Sequence, residues 1–381
     1  MTKVYLDNAA TTPLDPEVLD AMLPYMKEHH GNPSAIHSFG RTTRAAVETS
    51  RRTVAAILNC APGEIIFTSG GTEADNMAIN GAVRDLGVKN IITSPIEHHA
   101  VEYSTHAVEN SGSAKAHWLK LHDDGSPDLA HLEELLKMNP NALVSLMHAN
   151  NEIGTMISLF RVGELCRKYN AFFHSDTVQT MGHYWFDMYS MPVDFIACAA
   201  HKFHGPKGIG FLYMRSGATL KPMILGGSQE RNMRAGTENT YGIVGLAKAM
   251  EVAYRDLADH TRHVSGLKER MKAKLLANIP GVSFNGDSGP DSLYTVLSVN
   301  FPDDGKSEML IYNMDIEGIA CSGGSACSSG SNKGSHVMAA LYPDQTGANI
   351  RFSFSKYTTA AEVDRAVEVL AKVYAPVGVK A

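Results

Sequence analysis

The sequence predicts an α/β protein built on a mostly parallel sheet, and three observations carry that expectation. Short apolar runs recur over the first two thirds of the chain. They alternate with segments of helical spacing, and several run straight into turns bearing Gly or Asp. After about residue 255 the rhythm changes to fewer, longer elements, which indicates a second and smaller α+β region.

Taken in order, residues 42–58 predict a helix, because Ala45, Ala46, Val54, Ile57 and Leu58 lie near helical spacing. Residues 64–68 (EIIFT) form an apolar strand that a Gly-Gly turn ends. Residues 90–93 and 142–147 are further short strands, as are 171–174 and 195–197. Helical patterns fall between them at 129–137 and 159–169. One long helix is expected over 244–278, stopped by Pro280 and Gly281. Strands at 293–301 and 350–354 and a closing helix at 360–373 complete the pattern. Residues 322–335 are rich in Ser and Gly and predict a loop whose length points to a functional role.

Composition narrows the function. A chain of 381 residues with 44% hydrophobic and 19% charged residues is an ordinary globular mix, long enough for two domains. A net charge of -6 gives no basis for nucleic acid or an anionic membrane as main partner. No apolar run approaches the length of a bilayer span, and the first residues, MTKVYLDNAATTP, lack a secretory apolar stretch. Five cysteines make an odd count in a large chain, so reduced thiols and a cytoplasmic location are expected. Cys60, Cys166 and Cys198 sit among apolar or helix-forming neighbours and read as inert thiols.

Three segments carry chemistry. In FTSGGTEADN, Gly70, Gly71 and Thr72 follow a strand, and Thr72 to Asp75 read as a helix start with a capping hydroxyl. Free N–H groups there suit a phosphate, although an ordinary turn has the same appearance. In FFHSDTVQT, Asp176 ends a strand, where ligand groups of open α/β sheets collect. In AAHKFHGPKGIG, Lys202 lies between an apolar strand and a Gly/Pro turn. A lysine that forms a Schiff base must be partly desolvated, and an Asp paired with a pyridinium nitrogen makes that ring an electron sink. A solvated lysine on a surface turn is the plain alternative. His98, His99, His201 and His204 could be imagined as metal ligands of a hydrolase, but no HExxH or paired CxxC unit supports one, and no metal is expected. A non-catalytic scaffold is the remaining class.

Together these segments resemble the cysteine desulfurases of class V of the pyridoxal-phosphate aminotransferase fold. The resemblance runs from YLDNAATTP (5–13) to IRFSFSKYTT (350–359). It passes through GNPSAIHSFGR, FTSGGTEADN, EHHA, NNEIG, HSDTVQ, AHKFHGPKGIG, RAGTEN and SGGSACSSG in family order. It implies fold type I of the pyridoxal-phosphate-dependent transferases, with a seven-stranded, mostly parallel sheet. The large cofactor-binding domain would be 16–255, and the small domain 1–15 with 256–381. It implies pyridoxal 5'-phosphate held by Lys202 as Schiff base, Asp176 on the pyridine nitrogen, Gln179 on the phenolic oxygen and His98 stacked on the ring. Gly71, Thr72 and His201 would contact the phosphate, as would Thr237 from the second subunit of a homodimer. Asn151 and Arg351 would hold the substrate carboxylate, for which the planar fork of Arg351 is suited.

Cys327 corresponds to the family nucleophile, and its loop resembles that of the NifS/IscS-like group. The implied activity turns L-cysteine into L-alanine and leaves sulfur on Cys327 for an acceptor such as an iron–sulfur scaffold or a tRNA thiolation protein. Selenocysteine lyase and other class V lyases or aminotransferases share the fold and cofactor. The chain departs from the family pattern at Ser355, usually Gly, and at Cys321, often a smaller residue. The polar stretch after Cys327 leaves the acceptor open.

Overall fold

In a computed structural model, residues 3–303, 309–323 and 334–374 are described. The strand β1 (Val4–Tyr5) and helices α1 (Pro16–Lys27) and α2 (Ser38–Ile57) come first. Strands β2 (Ile65–Thr68), β3 (Asn90–Thr93), β4 (Lys115–Trp118), β5 (Ala142–Ser145), β6 (Phe172–Asp176), β7 (Phe195–Ala199) and β8 (Gly210–Met214) form one sheet, in the order β2-β8-β7-β6-β5-β3-β4. From β4 to β7 every pairing is parallel, while β8 runs antiparallel to both β7 and β2. Between the strands lie α3 (Gly71–Asp85), α4 (His99–Asn110), α5 (Leu129–Met138) and α6 (Leu159–Lys168).

Alternation along the strands divides the core into two. Phe67, Val144, Phe173, Ile196 and Phe211 face one layer, where α1, α2, α5 and α6 pack. Ile66, Ile91, Leu143, Phe195 and Leu212 face the other, under Ala78 and Ile79 of α3 and Val101 and Val108 of α4. Covering both faces of a parallel sheet is what makes its strands read as continuous apolar runs.

Beyond the single turn α7 (Gln229–Asn232), α8 (Thr240–Arg255) joins the first core and α9 (Leu257–Asn278) a separate one. The single helix expected over 244–278 is therefore two. Asp256 leaves helical geometry (ψ 11°) because the chain must turn from burying Leu246 and Tyr254 in one core to burying Leu267 and Met271 in the other. The second region holds β9 (Ser283–Phe284), β10 (Val296–Phe301), α10 (Leu310–Ile316), β11 (Ile319–Ala320), α11 (His336–Leu341), β12 (Ala348–Ser353) and α12 (Ala360–Val373). Strands β12, β10 and β9 form an antiparallel sheet, and β1 pairs with β11. The expected strands at 293–301 and 350–354 are β10 and β12, shifted by a few residues. Strands β4 and β8 escaped the sequence reading, β4 because it is a half-exposed edge with polar residues.

One buried ion pair fixes the approach to α8. Glu230 accepts from Arg51 Nη1 and Nη2 (2.9 and 2.8 Å) and from the backbone N–H of Phe67 (3.0 Å). Glu230, Arg231 and Asn232 all take left-handed φ angles of 44 to 69°. Each costs on the order of 1 kcal/mol for a non-glycine residue, so the pair has strain to offset. Glu230→Ala is expected to lower the unfolding free energy by up to roughly 3–5 kcal/mol in urea denaturation, because buried Arg51 keeps only the part-exposed Glu48 (3.2 Å) as counter-charge and the Phe67 N–H loses its acceptor.

Candidate active site

The C-terminal ends of the parallel strands converge on one crevice, where open α/β sheets bind ligands. Asp176 ends β6, and Lys202 closes the 3-10 turn Ala200–Lys202 that follows β7. His98 caps α4 after β3, its Nδ1 accepting from Ala100 N at 3.1 Å. Asn151 follows β5, and Gly71 opens α3 after β2. A cavity of about 240 Å³ is lined by these residues together with Thr72, Gln179, His201 and, from the second region, Arg351. Of the residues singled out from sequence, Thr237 alone is described and stands apart. It is exposed in a separate recess beside Ser69 and Arg234. Cys327 lies outside the described residues.

The N-terminal segment closes the crevice. Lys202 Nζ donates to the carbonyls of Ala9 (2.6 Å) and Ala10 (2.9 Å), and Gln179 Nε2 donates to the same Ala9 carbonyl (3.1 Å). Thr12 N and Oγ1 both donate to the carbonyl of His201. Arg351 is fully buried. Its Nη2 donates to Asp7 Oδ1 (2.8 Å) and its Nη1 to the Asn151 carbonyl (2.9 Å), and its Nε–H has no partner among the described residues. Asp7 carries no local signal in the sequence, since its partner stands 344 positions away.

Burial dominates the electrostatics. It pushes the Asp176 carboxyl up, opposed by His98, the Val178 N–H and Lys202. Asp176 Oδ1 accepts from that Val178 N–H at 2.8 Å. Burial pushes the His98 imidazole down, so that it is neutral, and brings His201 down to about 4. Glu97, which has no role of its own in the sequence reading, accepts from Ser94 Oγ (2.7 Å) and Met147 N (2.9 Å), and burial raises it to about 8. Burial also pushes up the thiols of Cys60, Cys166 and Cys198, as the reading of inert thiols requires, and raises half-buried Cys321 to about 12.

One detail differs from the sequence reading. The helix start in FTSGGTEADN has Gly70, not Thr72, at its cap, and no side chain caps it. Glu73 instead accepts from Ser69 N at 2.8 Å. The crowding is tight, for a Cβ on Gly71 would meet Val178 Cγ2 at 2.5 Å. The four histidines named in the sequence have separate partners. His99 pairs with Glu102 (2.8 Å) and stacks on Tyr103, while His204 bonds the Pro13 carbonyl.

Comparison with known proteins agrees with this geometry. The aminotransferase class-V family model matches residues 4–366. The chain is 41% identical to the cysteine desulfurase IscS of Dictyoglomus turgidum over 376 residues, 97% of this chain and 94% of that one. It is also 41% identical to the putative cysteine desulfurase IscS 1 of Bacillus subtilis, covering 98% and 99%. Among solved structures, a NifS-like protein superposes with a TM-score of 0.89 at 35% identity, covering 98% and 99% of the two chains. A protein named SspA, solved in complex with cysteine, superposes at 0.79 with 32% identity over 94% of this chain and all of that one.

Glu97 offers a test of the buried charge. Its folded pKa is raised, so the folded chain holds a proton that the unfolded chain releases. The resulting stability is complete below the ordinary glutamate pKa of 4.5 and is lost as pH rises toward 8. In that window thermal unfolding of the native chain should lose about 1.4 kcal/mol per pH unit relative to Glu97→Gln.

Proposed function

The chain belongs to the class-V aminotransferase family, and we propose that within it the protein is a cysteine desulfurase using pyridoxal 5'-phosphate and Cys327. The observation that carries this is the convergence of Lys202, Asp176, Gln179, His98, Asn151 and Arg351 on a single cavity. The donor set fits the coenzyme. It offers an amine for an aldehyde, a buried carboxylate for a ring nitrogen and an imidazole for stacking. Gly71 and Thr72 open α3, where N–H groups suit a phosphate, and His201, in the turn after β7, lines the same cavity. When bound, pyridoxal phosphate supplies an aldehyde that captures an amino acid's amine and a pyridinium ring that accepts the electron pair released at Cα.

The chain's own residues do the rest. Asp176 would keep the ring nitrogen protonated. Lys202, aimed by the Ala9 and Ala10 carbonyls, would take the Cα proton once its amine is free. Arg351 and Asn151 would hold the substrate carboxylate, which takes the place of Asp7 on the guanidinium and converts binding into orientation. Neutral His98 can accept the thiol proton. The Cys327 thiolate would then attack the substrate sulfur. The new S–S bond would form as the Cβ–S bond breaks, and the remaining carbon skeleton, protonated at Cβ and then at Cα, would leave as L-alanine.

Described residues on either side of Cys327 in sequence support this role. Ser322 Oγ donates to Asp7 Oδ1 (2.8 Å), and Ser335 Oγ donates to Glu152, next to Asn151. An exposed Thr237, away from the cavity of its own chain, suits a homodimer in which it contacts the partner's phosphate. In this reading residues 16–255 hold the coenzyme, 1–15 and 256–381 carry the loop and Arg351, and the enzyme works in the cytoplasm. A sulfur acceptor such as an iron–sulfur scaffold receives the product. Among the described residues no helix is long and apolar enough to cross a membrane.

Brief exposure to L-cysteine, followed by intact-mass measurement and peptide mapping, should show added sulfur on the Cys327 peptide. Cys327→Ala should lower alanine formation from L-cysteine by at least about 100-fold. An unlabelled Cys327 peptide with an undiminished variant would overturn the assignment. Faster turnover of L-selenocysteine would favour the lyase reading.

A further inference from the structure

Asp176 has a second layer beneath it. His174 lies two residues earlier on β6, hence on the same face of the sheet, and is fully buried. Its Nδ1 is 2.8 Å from Ser145 Oγ, on the residue paired with it in β5. Its Nε2 is 3.3 Å from Oδ1 of Asp75, the fifth residue of α3, which is 1% exposed. Neither oxygen of Asp75 has a hydrogen-bond donor among the described residues, and Nε2 of His174 has no other partner. Asp75, Asp176 and His98 place one polar atom each within 4.8 Å of one another. A line of polar groups thus runs from Ser145 through His174 and Asp75 to Asp176 at the cavity floor.

The charges facing Asp75 come from every packed element. His174 and Asp176 lie on β6, Glu97 and His98 precede α4, and Lys202 follows β7. A second bare carboxylate so close to Asp176, with no donor of its own, is heavily disfavoured. One proton removes both defects. On Asp75 it creates a donor facing the unpartnered Nε2 of His174, and the Nδ1–H of that ring then goes to Ser145.

We propose that Asp75 is a proton-holding acid paired with His174, and that this neutral pair is the positioning layer that leaves the negative charge on Asp176. The directions of titration agree. Burial pushes Asp75 well above the carboxyl range, with Asp176 and Glu97 adding to it, and burial drives His174 down to about 3, where the ring is a neutral acceptor. The use made of that charge rests on the coenzyme reading above. The proton on Asp75 does not.

Infrared spectroscopy of the full chain, before and after loading with pyridoxal phosphate, tests the pair. At neutral pH a protonated-carboxyl C=O band is expected that shifts when aspartate is labelled with ¹³C. It should persist after loading, vanish in Asp75→Asn and survive in Glu97→Gln. The visible band of the loaded native enzyme should also show an alkaline step, from ionisation of Asp75, that Asp75→Asn lacks. A spectrum in which no band shifts with aspartate labelling, or in which the aspartate-labelled band survives Asp75→Asn, overturns the proposal. If that variant does not fold, the labelled native chain decides, because an aspartic acid band that disappears on loading would put the proton on Asp176. An aspartic acid band in a chain that takes up no coenzyme would leave the pair standing and sink the functional reading alone.

Discussion

Keeping a carboxylate ionised at the floor of a cavity is the constraint on which the rest of this site depends. Burial works against it by pushing the Asp176 carboxyl up, and the N–H that Val178 donates to its Oδ1 and the nearby amine of Lys202 act in the opposite direction. Each of those groups sits at the C-terminal end of a different strand or in the turn after it. The sheet order therefore decides which groups can meet. Neighbouring acids must stay neutral for the arrangement to hold, and Glu97, tied to Ser94 and Met147 in the dry interior, is placed accordingly.

The N-terminal segment joins the two halves of the site. Residues 9 and 10 give their carbonyls to Lys202 and Gln179 on the large sheet's side. Asp7 takes Arg351 on the other, and Asn8 donates to the Ser353 carbonyl of β12 at 2.8 Å. The cavity is thus walled by both regions, with an arginine fork on one side and an amine on the other. That geometry suits a small amino acid, whose carboxylate and amine must be gripped at once.

Much of this was legible in the sequence. The five strands read from apolar runs in the first two thirds of the chain all lie in the central sheet, because strands buried on both faces advertise themselves. The cavity residues were implied by the family resemblance, and the motifs around Gly71, Asp176 and Lys202 follow strand ends. What escaped detection was of another kind. Strand β4 is a half-exposed edge, so its composition is mixed. The break at Asp256 follows from two cores that meet there, and helical periodicity runs through it unchanged. Asp7, Asp75 and His174 acquire meaning only from partners distant in sequence, and Asp75 read as an ordinary acid of a first helical turn.

The account's central claim is that Lys202 is the amine that captures the coenzyme. Borohydride reduction of the chain incubated with pyridoxal phosphate, followed by peptide mapping, tests it most directly. Reduction should bleach the visible band and leave the coenzyme's mass on the peptide that contains Lys202. A chain that stays colourless, or a label fixed to another lysine, would contradict it.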